Sequence, residues 1–336
     1  MFSWHTLSDE QKGNILSEIS TTTGYPTNII EKDWWVTVAL KAVFSTPWAN
    51  HLVFKGGTSL SKSWNLIERF SEDIDLAMDR SVLGFEAESL SKSQIRKLRE
   101  TSASFIENTF LSELYKSILA LGIAEHSFTV TIKPIPEKDI EPRILMLNYQ
   151  SIVTGNVYIQ DRILIEIGAR SLREPCSPAP ITSLITDAFP AQPFSDAPFW
   201  VETVHPERTF LEKVCLLHEE FAKEPEKRRH ERLSRHLYDL HRLMDTNHGK
   251  AAIADKALFR TIVAHREKYN TIRGITYDRH NYKEIDFVPP DTVLDYWRGD
   301  YNTMLQTMIY GEAPDFDQLI ERMKVLRNRF RTIPLN

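Results

Sequence analysis

Apolar residues recur at helical spacing near the start of the chain, alternate in the middle, and return to helical spacing after residue 206. Ser8 and Gln11 stand three apart, the spacing of a capping box, and a second helix is expected over 28–44 after the Pro26-Thr27 break. In that helix Ile30, Trp34 and Val38 mark the buried side, while Glu31, Lys32 and Asp33 begin the polar one. The period then changes. Residues 51–54 are a short apolar run ending at Gly56-Gly57, expected as a buried strand entering a tight turn. Leu60, Trp64 and Ile67 restore helical spacing, and 70–78 alternates as a strand does.

Residues 86–122 are polar and helical, with basic Lys92, Arg96, Lys97 and Arg99, and read as an external insertion. Strands are expected again over 127–132, 144–149 and 158–167. Six prolines between 173 and 198 mark a crossover or linker. Helices are expected over 207–222, 231–245, 251–268, 291–309 and 315–330, with no internal repeat. The fold class is therefore α/β (α+β), a mixed sheet with flanking helices followed by a helical region. Its expected divisions are N-terminal helices over 1–50, a core over 51–205 and a helical domain over 206–336.

Composition narrows the class. Apolar residues make up 42% and charged residues 26% of 336, as in an ordinary globular protein. No run approaches the roughly 18 uncharged apolar residues of a membrane helix. A net charge of −5 gives no global basic field, so any nucleic-acid contact must be local. Two cysteines are too few for a disulfide framework and fit a reducing cytosol. The N-terminus lacks a basic leader and an apolar segment, so a cytoplasmic location is expected.

The chemistry concentrates in residues 54–76, FKGGTSLSKSWNLIERFSEDIDL. Asp73 and Asp75 lie two apart on an expected strand, on one face, roughly 6.6 Å apart along the backbone. Adjacent carboxylates repel unless a cation stands between them, and Mg²⁺ takes one or two carboxylates plus phosphate oxygens. A lone D-x-D also suits a solvated strand face; the upstream Gly56-Gly57-Thr58-Ser59 is what favours a site. Glycines let backbone N–H groups approach a phosphate, and a following helix turns its positive end toward it. Glu166, an acid among apolar residues, completes a three-carboxylate cluster for two metals if its strand neighbours the first.

Other motifs compete. Residues 56–63 read G-x-x-x-x-S-K-S, a Walker A motif with Ser61 in place of its second glycine, so an ATPase is an alternative. His218-Glu219 begins like a zinc-protease helix, but Ala222 stands where the second histidine belongs. His236 and His241 are five apart, roughly 140° around a helix, and cannot share a metal face. Cys215 falls among the apolar positions of its helix and reads as a core thiol.

The string KGGTSLSKSW…RFSEDIDL resembles the signature of the AbiEii/AbiGii-type nucleotidyltransferase toxins, within the DNA polymerase β-like superfamily. EKDWWV at 31–36, ERTFLEKVCLLHEEF at 207–221, RHLYDLHRL at 235–243 and DYNTMLQTMIYG at 300–311 extend the resemblance in the family's order. The resemblance implies that Gly56, Gly57 and Thr58 form the phosphate turn. It implies that Ser71, Asp73 and Asp75 serve triphosphate and metal, with Glu166 as third acid. Lys213 matches the helix lysine that binds nucleotide phosphates, and Asp239 the aspartate of the next helix. The fourteen residues between Thr58 and Asp73 exceed the general superfamily spacing.

The same resemblance implies Mg²⁺- or Mn²⁺-dependent transfer of a nucleoside monophosphate from an NTP to a hydroxyl, at a tRNA 3′ end. It also implies a toxin of a toxin–antitoxin or phage-defence pair, restrained by an antitoxin. A non-catalytic nucleotide- or RNA-binding module on the same fold is the alternative. On residues alone, Lys213 reads as a stem beside the apolar stripe of Phe210, Val214, Leu217 and Phe221, and Asp239 as a surface partner of Arg235 or Arg242. The basic runs 223–235 and 322–331 read as solvated helix faces or phosphate contacts.

Overall fold

The computed structural model describes residues 3–87, 89–134, 142–153, 160–170, 173–270, 272 and 274–334. The chain forms two compact units, Met1–Ser63 with Ser71–Val204, and Trp64–Phe70 with His205–Asn336.

The first unit opens with α1 (Asp9–Thr23), started by the reciprocal Ser8/Gln11 capping box and ended by Gly24 at φ +77°. Next come α2 (Thr27–Val43), β1 (Leu52–Lys55), α3 (Gly56–Lys62) and β2 (Ile74–Met78). Helices α4 (Lys92–Phe105) and α5 (Leu111–Ala120) bracket a π turn at Ile106–Phe110. Then come β3 (Phe128–Ile132), β4 (Arg143–Tyr149), β5 (Arg162–Gly168), β6 (Cys176–Ile181), α6 (Leu184–Ala188) and β7 (Phe199–Val204). The strands make one mixed sheet in the order β3-β4-β5-β2-β1-β7-β6. Pairs β2–β5 and β1–β7 are parallel, and the others are antiparallel.

One sheet face is the core. Ile74, Leu76 and Met78 of β2, with Ile163, Ile165 and Ile167 of β5, are all buried, as period-two alternation requires. Helix α2 packs on β5, and Trp35 stacks on Tyr149 of β4 at 5.0 Å between centroids. The segment expected as an outside insertion is less external than its polarity suggests. Ile95, Leu98, Ile106, Phe110, Leu114 and Ile118 are buried, and α5 packs on α2.

Three sequence expectations need revision. The proline-rich stretch is no linker: it contains β6, α6 and the approach to β7. Prolines 178 and 180 are tolerated because β6 is the edge strand, where a missing N–H breaks no ladder. Glu31, Lys32 and Asp33 of α2 are not a solvated face; all three are buried. The strand expected over 158–167 is described only from 160 onward and begins at Arg162; residues 158 and 159 lie outside the described residues.

The second unit is helical. It contains α7 (Pro206–Ala222), α8 (Ser234–Leu243), α9 (Asn247–Ala254), α10 (Lys256–Tyr269), α11 (Leu294–Thr307) and α12 (Phe316–Arg331). Phe330 lies at its centre, against the rings of Phe210, Phe259, Tyr282 and Phe287. Helix α7 is buried on nearly every side, its polar residues included, so each buried charge has a partner. Glu219 takes two hydrogen bonds from Arg266 at 2.7 and 2.5 Å and one from the Tyr277 hydroxyl at 3.0 Å. His218 meets His280 edge to face at 4.5 Å.

The seven residues 64–70 join this unit although they sit between two halves of the first. The Phe70 N–H donates to the Met308 carbonyl at 2.7 Å, and Arg69 forms an isolated bridge with Ile309. Side chains add to these anchors: Ile67 and Phe70 are buried, Trp64 lies against the rings of His205 and His248, and Glu68 pairs with Arg242 at 2.8 Å.

Candidate active site

The ladders around β2 bring the acids together. Asp75 is level with Lys55 of β1 on one side and with Glu166 of β5 on the other. Register partners point to the same face, so the two carboxylates share a row opposite the buried isoleucines. Both are half-buried. Asp73 lies two residues before Asp75, but β2 begins at Ile74, so the ladder that fixes Asp75 beside Glu166 does not fix Asp73. Among the described residues, no three His, Cys, Asp or Glu side chains are placed to hold a metal ion by themselves. The strand of Glu166 does neighbour that of Asp75, so the sheet supplies an acidic pair in register, with Asp73 just upstream of the ladder.

Gly56 fits this pair closely. It sits at φ +85°, and a Cβ there would stand 2.1 Å from Asp75 Oδ2. Only glycine takes that backbone conformation readily and leaves room for the carboxylate. The expected turn at Gly56-Gly57 is the first residues of a helix: β1 ends at Lys55 and α3 begins at Gly56. This removes the ATPase alternative. A phosphate-cradling loop needs free residues between strand and helix, and here the G-x-x-x-x-S-K motif is the helix itself.

Thr58 and Ser71 join the two halves of the motif. The Thr58 hydroxyl donates to the Asp73 carbonyl oxygen and lies 2.8 Å from the Ser71 hydroxyl. Thr58 is fully buried, so α3 is fastened through it to the residues leading into β2. Ser71 is half-buried.

Lys213 and Asp239 come together in the second unit. Asp239, with no exposed surface, accepts from Arg69 Nε at 2.7 Å and Nη2 at 2.8 Å and pairs with Lys213 Nζ at 2.9 Å. It is not the surface partner of Arg235 or Arg242 that its helix spacing suggests. Lys213 is 6% exposed and also lies 3.3 Å from His236 Nδ1. Two cations share one anion. Burial alone would raise the Asp239 carboxyl, but Arg69 and Lys213 hold it well below the usual carboxylate range. Lys213 moves down, because burial and the neighbouring Arg69 outweigh what Asp239 returns. Burial, with Lys213 beside it, also keeps His236 well below its ordinary value. Sequence reasoning missed Arg69, whose partner lies 170 residues away.

The basic runs are mostly neutralised within their own unit. Arg322 and Arg329 pair with Asp245, Arg327 and Arg331 with Asp286, and Lys324 with Glu321. Lys223 and Arg229 pair with Glu220, and Lys227 with Glu224. No helix among the described residues is long and apolar enough to cross a membrane.

Comparison with known proteins adds the chemistry. Residues 39–322 match the family model described as nucleotidyl transferase AbiEii toxin, type IV TA system. No curated protein matches the sequence. Among solved structures, the chain is similar to MenT4, a nucleotidyltransferase toxin of Mycobacterium tuberculosis H37Rv, at 15% identity and a TM-score of 0.48. That similarity covers 96% of this chain and 98% of the other.

Proposed function

The chain belongs to the AbiEii family of nucleotidyltransferase toxins, and from that premise we propose that it transfers a nucleoside monophosphate from an NTP to a hydroxyl of an RNA, releasing pyrophosphate. The observation that carries this reading is the half-buried pair Asp75–Glu166, in register on neighbouring strands, with Gly56 leaving no side chain between Asp75 and α3.

The donor set suits Mg²⁺ or Mn²⁺, since all three acids offer hard oxygen ligands and Mg²⁺ needs only one or two carboxylates beside substrate phosphates. Asp73, Asp75 and Glu166 are the residues that would hold it. When bound, the ion supplies positive charge to the phosphates and to the attacking hydroxyl. The chain's own part is orientation. Thr58 keeps Asp73 fastened to α3, the β2–β5 ladder holds Asp75 and Glu166 level, and Gly56 and Gly57 let a phosphate approach the backbone. Ser71 stands at the same junction, its hydroxyl a hydrogen-bond donor to the triphosphate. Lys213 is assigned as a phosphate ligand, because its cluster carries one cation more than its acid neutralises, and Asp239 holds that lysine in place.

A tRNA 3′ end is the acceptor the family resemblance favours, and a cognate antitoxin the partner. The protein would act in the cytoplasm, in phage defence or growth control. Incubating purified protein with Mg²⁺, each labelled NTP in turn and total RNA tests the reaction. Label should enter one RNA class with stoichiometric pyrophosphate, and Asp73→Ala should abolish both while leaving the far-UV spectrum unchanged. Normal turnover by a folded Asp73→Ala protein would overturn the assignment, as would release of orthophosphate.

A further inference from the structure

Helix α2 carries three consecutive charged residues that are all buried, each directed to a different segment of the first unit. Glu31 accepts from the Ser151 hydroxyl at 2.5 Å and the Ile152 N–H at 2.9 Å. Lys32, 1% exposed, donates to Glu72 Oε2 at 2.6 Å and to the Gln160 carbonyl at 2.8 Å. Asp33 accepts from Lys62 Nζ at 2.6 Å and from the Leu184 N–H at 2.8 Å.

Two of these partners bracket the candidate site. Glu72 stands between Ser71 and Asp73, and Lys62 is the last residue of α3, whose first is Gly56. Adjacent residues of one helix thus grip both pieces of chain that must face each other. We propose that Lys32 and Asp33 are positioning residues for the transfer reaction, fixing the α3 segment against the Ser71–Asp75 segment so that the acids meet metal and nucleotide together. The inference rests on the function proposed above.

Stability alone does not account for the charges. Buried ion pairs rarely improve on apolar residues of the same volume, and fixing one arrangement among several is their best-attested use. Helix α2 already buries Ile29, Ile30, Trp34, Val38 and Leu40. A displacement of about 1 Å at such a site is enough to slow a reaction roughly 10²-fold.

The test removes each pair as a pair, which avoids an orphaned buried charge. In the full-length protein, Lys32→Met with Glu72→Met, and separately Asp33→Leu with Lys62→Met, are compared with wild type. Three readouts are needed: melting temperature, Mn²⁺ affinity by electron paramagnetic resonance, and steady-state transfer. The expected result is a fold that melts near wild type. Mn²⁺ should bind about tenfold more weakly, and kcat should fall about 10- to 100-fold, with KM for the NTP changed less than about threefold. Lys32→Arg, which keeps the charge, should recover part of the Mn²⁺ affinity. If either double variant folds with wild-type Mn²⁺ affinity and kcat, the inference fails while the proposed reaction stands. If losses follow melting temperature alone, the residues are structural and the inference again fails. Should wild type neither bind Mn²⁺ nor transfer a nucleotide, the proposed function falls and this inference with it.

Discussion

Asp75 and Asp239 are both acids that a fold must accommodate, and the two units do so in opposite ways. Asp75 stays half-buried beside a second carboxylate, Glu166, on a sheet whose other face is apolar. Asp239 is sealed from water between Arg69 and Lys213 and held firmly ionised. The first arrangement keeps two carboxylates together, which favours an external cation; the second neutralises its acid from within and leaves one positive charge over. Replacing the first acid should therefore change chemistry at little cost in stability, and replacing the second should cost stability and also free Lys213 from its anchor.

The largest expected effect breaks that contrast most directly. Asp75→Ala should cost about 10³-fold in transfer rate, with a melting temperature within about 2 °C of wild type. A variant that melts much lower would make Asp75 as structural as Asp239. Asp239→Ala, by comparison, leaves two buried cations without their anion and should destabilise the protein by about 3–5 kcal/mol in urea unfolding. Unchanged stability there would mean that Arg69 and Lys213 find other partners.

Acid sharpens the comparison, because buried histidines lie in the second unit. Burial pushes His280 down to about 4 and lowers His218 from its ordinary value. A histidine neutral in the fold binds fewer protons than the unfolded chain between those values, so stability is full above about 6.5 and falls as pH drops toward 4. The loss from His280 is at most about 3 kcal/mol. Asp239 adds its own loss only below the ordinary carboxylate value near 3.9. Melting curves at pH 7.5, 5.5 and 4.5 should show this decline, and His280→Phe should flatten it. Smaller still, Gly56→Ala should cost about 1–2 kcal/mol for the left-handed backbone, and it should also reduce transfer by displacing the Asp75 carboxylate. A fully active Gly56→Ala protein would show that the close approach is not needed.

The features legible in the sequence and those hidden from it divide on physical grounds. Alternation over 70–78 and the apolar run of β5 exposed the strands, although only Ile74–Met78 of the first is strand, and local spacing put Asp75 and Glu166 on them. Contacts between distant residues left no periodic trace. The pairing of Asp239 with Arg69, the use of the Thr58 hydroxyl on Asp73, and the burial of Glu31, Lys32 and Asp33 all depend on partners far along the chain. Polarity misled for Asp239 and for Glu31, Lys32 and Asp33, since a charged residue reads as solvated until its counter-ion is known. Prolines 178 and 180 misled in the opposite sense, marking a linker where an edge strand lies.

Those prolines have a bearing on association. Along β6, residues 178 and 180 are of one parity, and an imino nitrogen directed at β7 would leave a gap in the ladder, so both turn outward. The rim they line offers carbonyl oxygens but lacks amide hydrogens at two successive outward positions. A strand arriving from another molecule could not complete its zipper there. Growth of the sheet into fibrils is thereby discouraged at this end, and an inhibitor peptide that works by strand addition would have to look elsewhere for a landing place.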